Sequence, residues 1–213
     1  MFKLISSLFK STRPVKHERS LTSLHDLLAG DMVKFSGSFG LPEDVRGETF
    51  RVQKISTYFF GDTGTPQFVI KSGDNKPIFL TIEDFDGEEH LVLSRKLKHK
   101  EVEALVGWNA LKSAMKDDSN KSVQVQSDAD QSGWLTNAYQ RRVGGGEGVY
   151  FERDLRSLTS VPNGGEKFKY YEFYSDDEAK SLEVEVWEGD EYEVCIGLVR
   201  PFSDITEYWP SSL

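Results

Sequence analysis

Three stretches of the chain carry residue types at spacings that could do chemistry. Asp62-Thr63-Gly64-Thr65 has the form of the aspartic-protease motif, in which a carboxylate activates a water molecule. That reaction needs two carboxylates sharing one proton, and the chain holds no second Asp-Thr-Gly or Asp-Ser-Gly. With Gly61 before it and Pro66 after it, the stretch reads instead as a hairpin turn. Asp84-Phe85-Asp86-Gly87 contains a fragment of a calcium loop. Placing Gly87 at the loop's central glycine puts Ile82 and Leu93 where oxygen ligands are required. A solvated acidic turn is the better reading, and Glu188-Gly189-Asp190-Glu191 repeats it. The run Gly144-Gly145-Gly146-Glu147-Gly148 could cradle a phosphate, but no Gly-Lys-Ser/Thr follows and the spaced glycines of a dinucleotide site are missing. It reads as a flexible hinge.

Single residues add little. His17, His25, His90 and His99 are scattered without ligand spacing. Cys195 lies in an apolar strand pattern with no histidine beside it, which suits a small core residue better than a nucleophile. A lone cysteine cannot form an internal disulfide, which fits a reducing compartment. No catalytic residue, metal site or cofactor is assigned, and the expectation is a non-enzymatic protein.

The elements that would position such residues are mostly strands. A short helical pattern at Leu21 to Leu28 and a turn at Gly30-Asp31 precede strand signals at Met32 to Phe35, Thr49 to Ile55, Gln67 to Lys71, Ile78 to Ile82 and His90 to Leu93. Lys98 to Met115 reads as helix, interrupted near Gly107. Asp117 to Gly133 has only Val123 and Val125 for large aliphatic content and reads as a mobile linker. Further strands follow at Lys169 to Tyr174, Leu182 to Trp187 and Tyr192 to Val199. In Leu182-Glu183-Val184-Glu185-Val186, apolar residues and carboxylates alternate, as in a strand with one buried face. Near the end, Phe202, Ile205 and Trp209 suit one helical turn, stopped by Pro210, that plugs the second sheet.

The two β stretches resemble each other. Phe68-Val69-Ile70-Lys71-Ser72-Gly73-Asp74 aligns with Tyr171-Glu172-Phe173-Tyr174-Ser175-Asp176-Asp177. Phe85 to Val92 aligns with Trp187 to Val194, setting His90 against Tyr192. A diverged duplication and the chance likeness of hairpins with Gly-acidic turns both account for this. The expected fold is α+β and β-rich: two related small antiparallel modules, each followed by a helical segment, with a short N-terminal amphipathic helix. The corresponding division is 1–19 basic amphipathic segment, 20–116 first module, 117–133 linker and 134–213 second module.

The 213 residues, 38% hydrophobic and 12% aromatic, describe a folded protein. No apolar run approaches the roughly 18 residues that span a bilayer. The net charge of -9 opposes nucleic-acid binding, but it is unevenly spread. The first nineteen residues hold 5 basic groups against 1 acidic, leaving 21 against 34 for the remainder. At helical spacing, Phe2, Leu4, Ile5, Leu8 and Phe9 share one side while Lys3 and Lys10 lie on the other. Three readings compete for this segment: attachment to an anionic membrane surface or partner, docking on the protein's own core, and a frayed tail.

The basic amphipathic start, the alternation at Leu182 to Val186, Arg200-Pro201-Phe202-Ser203-Asp204-Ile205 and Trp209-Pro210 together resemble the YjfK-like family of uncharacterised bacterial proteins, a domain of unknown function. That resemblance implies a cytoplasmic accessory protein, peripheral to the inner membrane, with a phage-shock-protein-A-like partner. It supplies no catalytic residues. The functional expectation is thus a non-enzymatic adaptor attached through Phe2, Lys3, Leu4, Ile5, Leu8, Phe9 and Lys10. The alternative is a small-ligand or peptide-binding β-barrel-like module with its pocket between the repeats, and an enzyme of unknown type comes third.

Overall fold

The computed structural model describes residues 19–85, 87–116, 118, 121–126 and 133–211. The segment from Phe2 to Lys10 lies outside the described residues, as does His17. The strands in chain order are β1 (Met32–Phe35), β2 (Thr49–Phe60), β3 (Thr63–Lys71), β4 (Ile78–Phe85), β5 (Glu88–Lys96), β6 (Ser122–Gln124), β7 (Ala138–Phe151), β8 (Glu166–Tyr174), β9 (Lys180–Trp187), β10 (Glu191–Arg200) and β11 (Ile205–Trp209). Two helices, α1 (His99–Leu105) and α2 (Trp108–Lys116), lie between β5 and β6. Gly107, with φ +75°, separates them where the sequence places an interruption. The protein is α+β and strand-rich.

All eleven strands join in one antiparallel sheet, in the order β11-β1-β2-β3-β4-β5-β10-β9-β8-β7-β6. The expected separation into two modules therefore does not hold. The halves are hydrogen-bonded to each other along two seams. At one, β5 pairs with β10 through Leu93↔Leu198 and Ser94↔Gly197. At the other, β2 pairs with β7 through Thr57↔Phe151, Tyr58↔Tyr150 and Phe59↔Val149. This second seam returns the sheet on itself, so β2-β3-β4-β5-β10-β9-β8-β7 is a closed ring of eight strands. Closure removes the free edges that two separate small sheets would have exposed.

The ring consists of two four-stranded meanders, β2 to β5 and β7 to β10, with β1 paired to the first strand of one and β6 to the first strand of the other. The aligned pairs Phe68 with Tyr171, and Phe85 with Trp187, occupy corresponding places. His90 and Tyr192 do not. β4 ends at Phe85 and β5 begins at Glu88, whereas β9 ends at Trp187 and β10 begins at Glu191, so the second connection is one residue longer. That extra residue moves Tyr192 to the opposite face and sets Glu193 in the place of His90.

Other expectations change for local reasons. Within 117–133, read as a mobile linker, Ser122–Gln124 forms β6 on the start of β7, and Val123 is only 1% exposed. Its one buried valine is enough because β7 supplies the ladder partners. Leu21 to Leu28 forms only a 3-10 turn at Leu24–Asp26, capped by the Ser23 hydroxyl accepting from the His25 amide. The second meander is followed by a 3-10 turn at Phe202–Asp204 and then by β11, not by a helix. Trp209 lies opposite Met32 in the β1–β11 ladder. The ladder competes successfully with a single helical turn because four of the five β11 residues gain a partner on β1.

The glycine run is no hinge. It lies inside β7 and pairs with β8, with bulges at Arg141/Val143 and Gly144/Gly146. A Cβ on Gly148 would lie 2.4 Å from the Phe168 ring, and Gly145 has φ +84° at the second bulge. The glycines make room for aromatic rings lying across their own strand.

Alternation gives the ring two unlike faces. Phe68, Ile70, Leu80, Leu93, Ile196 and Leu198 point outward and are at most 2% exposed. They belong to one apolar cluster with Leu24 and Leu27, with Val102 of α1 and Leu111 of α2, and with Trp134. Segments outside the ring thus cover its outer face, which holds the main core. The residues between them point inward.

Candidate functional site

The inward direction is fixed by contacts across the ring. Phe85 on β4 and Tyr174 on β8, four strands apart, meet edge to face with centroids 6.0 Å apart. Tyr58 on β2 and Phe168 on β8 do the same at 5.4 Å. The inside is not filled. Two communicating cavities of about 1490 and 580 Å³ share Tyr58, Gln67, Ser94, Phe168, Glu183 and Glu185 as lining. Glu83 and Glu172 line the smaller one, whereas Tyr150, Trp187, Glu193 and Cys195 line the larger.

Carboxylates dominate the polar groups of this lumen. Glu183 of β9 is paired directly with Glu172 of β8 and with Cys195 of β10. Glu185, two residues on, is paired with Tyr170 and Glu193. Glu83 reaches in from β4 on the other wall. Glu83 accepts from the Thr81 hydroxyl at 3.0 Å and Glu183 from the Ser181 hydroxyl at 2.7 Å. These donors are neutral, and the charges that bear on Glu83, Glu172 and Glu183 are other carboxylates.

Burial, reinforced by Glu183, pushes Glu172 up to about 7. Burial and the neighbouring Glu193 push Glu185 up to about 8, opposed in part by the Tyr58 hydroxyl and by Lys96. Glu83 and Glu183 are tightly linked, and each is raised by burial and by the charge of the other groups in the cluster. Burial also raises the Tyr58 and Tyr174 hydroxyls and the Cys195 thiol. The cationic counterweight lies at one side: Lys96 forms an ion pair with Glu193.

Aromatic rings flank the acids. Tyr58, Tyr150, Trp187 and Phe168 touch in that order, closing back on Tyr58, beside the larger cavity, with Phe168 and Trp187 centroids 4.9 Å apart. The indole Nε1 of Trp187 is buried and has no hydrogen-bond partner among the described residues. Further acids, Glu147, Glu166, Glu188, Asp190 and Glu191, line the larger cavity together with Lys167 and Lys169.

Comparison with known proteins gives no lead. No family model, no curated protein and no solved structure matches the chain. The site therefore has to be read from its own chemistry.

Several sequence-level candidates border these cavities without joining the carboxylate cluster. Asp62 belongs to the β2–β3 hairpin, where Gly61 has φ +67°. Asp84 accepts the Gly87 amide at 2.8 Å, closing the acidic turn. His25 pairs with Glu89 at 3.0 Å, His90 packs edge-on against Phe85, and His99 stacks on Trp108. Among the described residues no group of three or more His, Cys, Asp and Glu side chains could hold a metal ion. Of the residues singled out in the sequence, Cys195 and His90 face the lumen, His25, Thr63, Gly64, Thr65 and Asp84 border the smaller cavity, and Glu147, Gly148, Glu188, Asp190 and Glu191 border the larger. Glu83, Glu172, Glu183 and Glu185 went unnoticed as a group. Their signal is a carboxylate alternating with apolar or aromatic residues on β4, β8 and β9, and it becomes visible only when that face is known to be enclosed.

Proposed function

We propose that the barrel is a small-ligand-binding protein that takes an organic cation, an amine or quaternary ammonium, into its lumen. The observation that carries this reading is the convergence of carboxylates from β4, β8 and β9 on one cavity, whose basic lining residues, Arg156 and His25, are already engaged by Asp154 and Glu89, so that the charges bearing on Glu83, Glu172 and Glu183 are those of other carboxylates. Buried ionised groups are retained only when paired, and a bound cation supplies the missing partner. Two further features support it. The aromatic rings of Tyr58, Phe168 and Trp187 attract cations through their quadrupoles. Acids outnumber the two lysines, Lys167 and Lys169, in the lining of the larger cavity, which favours the entry of cations. Because no described group could hold a metal ion, the larger organic cation is the better fit.

Titration calorimetry at pH 8.5 tests this with 2-phenylethylamine, a cation bearing one aromatic ring, and with 2-phenylethanol as its neutral counterpart. The amine is expected to bind at least about tenfold more tightly, and Glu172→Gln with Glu183→Gln together to abolish the preference. Equal binding of the alcohol, or no binding of either, rejects the reading.

A second reading concerns the chain outside the described residues. A start that is positively charged, ahead of a remainder with 21 basic and 34 acidic residues, suits an accessory protein held at an anionic surface by Phe2 to Lys10. Flotation with anionic vesicles checks it: equal partitioning of the full chain and of a version lacking residues 1–16 rejects attachment.

A further inference from the structure

Resting on the cation reading of the lumen, we propose that the barrel exchanges protons held among Glu83, Glu172 and Glu183 for its organic cation, so that uptake at alkaline pH and release in acid are built into the site. Geometry carries this. Glu172 and Glu183 are directly opposed on neighbouring antiparallel strands, and both face inward. Directly opposed Cβ atoms lie only about 5 Å apart, and like charges there repel. Glu83 approaches the same space from the opposite wall and bears on Glu183. Three carboxylates facing one cavity, with neutral donors from Thr81 and Ser181, disfavour full ionisation in the absence of a cation. Protons and a cation each relieve the repulsion, and the two compete.

Other groups facing this space leave that competition in place. From β2, β7 and β8 come Tyr58, Tyr150, Tyr170 and Tyr174; burial raises Tyr58, Tyr170 and Tyr174 further above the neutral range. From β10 come Cys195, whose thiol is likewise pushed up, and Glu193, which Lys96 of β5 engages. Glu185 of β9 titrates in the same direction as the three acids. His90 of β5 lies at the Phe85 end, with Nδ1 3.0 Å from the Glu88 carbonyl oxygen. Arg156 and His25, which also line the smaller cavity, are paired with Asp154 and Glu89. At acid pH the acids are neutral and the cation loses its partners; at alkaline pH they are ionised and need one. Burial that raises Glu172 to about 7 places the exchange near neutrality.

Calorimetry of 2-phenylethylamine with the full chain tests the exchange. This amine keeps its charge across pH 6 to 8.5, as a lysine side chain does, so any pH dependence belongs to the protein. At pH 7, in two buffers of different ionisation enthalpy, binding is expected to release between about half a proton and one proton per amine. Affinity is expected to rise between pH 6 and 8 by up to about tenfold per pH unit for each proton exchanged. Glu172→Gln, which preserves volume, is expected to reduce both the proton release and the slope. Binding without proton release and with a flat affinity from pH 6 to 8.5 overturns the exchange while leaving the cation reading intact. Absence of binding at every pH overturns the cation reading, and the exchange with it.

Discussion

The two faces of the same strands differ more than the two halves of the chain do. In β9, Leu182 and Val184 point outward into the apolar cluster, while Glu183 and Glu185 between them point into the lumen. In β4, Leu80 faces out and Thr81 and Glu83 face in. A small barrel usually fills its interior with apolar side chains and leaves its outside to solvent. Here the outside is covered by the segment at Leu24 and Leu27, by α1 and α2, and by Trp134, and it supplies the stability. The inside is thereby free to hold polar groups that would weaken a packed core. Burial stabilises one face and burdens the other.

The largest test of that contrast is on the outer face. Phe68→Ala should cost about 3–5 kcal/mol, since it opens a cavity under a fully buried ring. Urea denaturation measures this, and a loss below about 1 kcal/mol would mean that the outer face is not the main core.

The lumen should respond to pH in the opposite sense from carboxylates that are paired with arginine, such as Asp31 and Asp154. Glu172 and Glu185 are raised to about 7 and about 8, so their contribution is fully present below about 4.5 and lost as pH rises through those values. Asp31 and Asp154 are lowered by their hydrogen bonds with Arg19 and Arg156, so their contribution is complete above about pH 5 and does not change in this window. Without ligand, the melting temperature should therefore fall between pH 6 and 8.5 by roughly 5–10 °C, equivalent to about 2–4 kcal/mol. A rise over the same interval would show that the acids are solvated or already paired.

A smaller effect should come from the β7 glycines. Gly148→Ala places a methyl group 2.4 Å from the Phe168 ring and should cost about 1–3 kcal/mol, whereas a hinge glycine would tolerate alanine. Smallest is Glu172→Gln, which removes a buried charge without changing volume. It should raise stability at pH 8.5 by about 1 kcal/mol and leave it nearly unchanged at pH 5.5. Destabilisation at both pH values would mean that Glu172 makes a structural contact.

Much of the strand pattern was legible. Met32 to Phe35 matches β1, the interruption near Gly107 separates α1 from α2, and the alternation at Leu182 to Val186 describes β9. Closure was not legible, because the β2–β7 seam joins residues such as Thr57 and Phe151 that no local signal connects. The site was hidden for the same reason. Alternating Glu183 and Glu185 reveal that a strand has two faces, but an enclosed carboxylate and a solvated one are written identically. The glycines at 144 to 148 misled because their partners, such as Phe168 opposite Gly148, lie on β8. Phe2 to Lys10 remain outside the described residues.

Four inward-facing glutamates share one lumen that holds too few cations to pair them all. Carboxyl-carbon NMR of glutamate-labelled protein, with Glu83, Glu172, Glu183 and Glu185 assigned by single Gln substitutions, reads their ionisation directly. In the ligand-free protein these four should titrate well above the ordinary range, with Glu172 near 7 and Glu185 near 8, and 2-phenylethylamine should shift them toward acid. Titration of all four near the usual glutamate value of about 4.3, unmoved by the amine, would contradict the account.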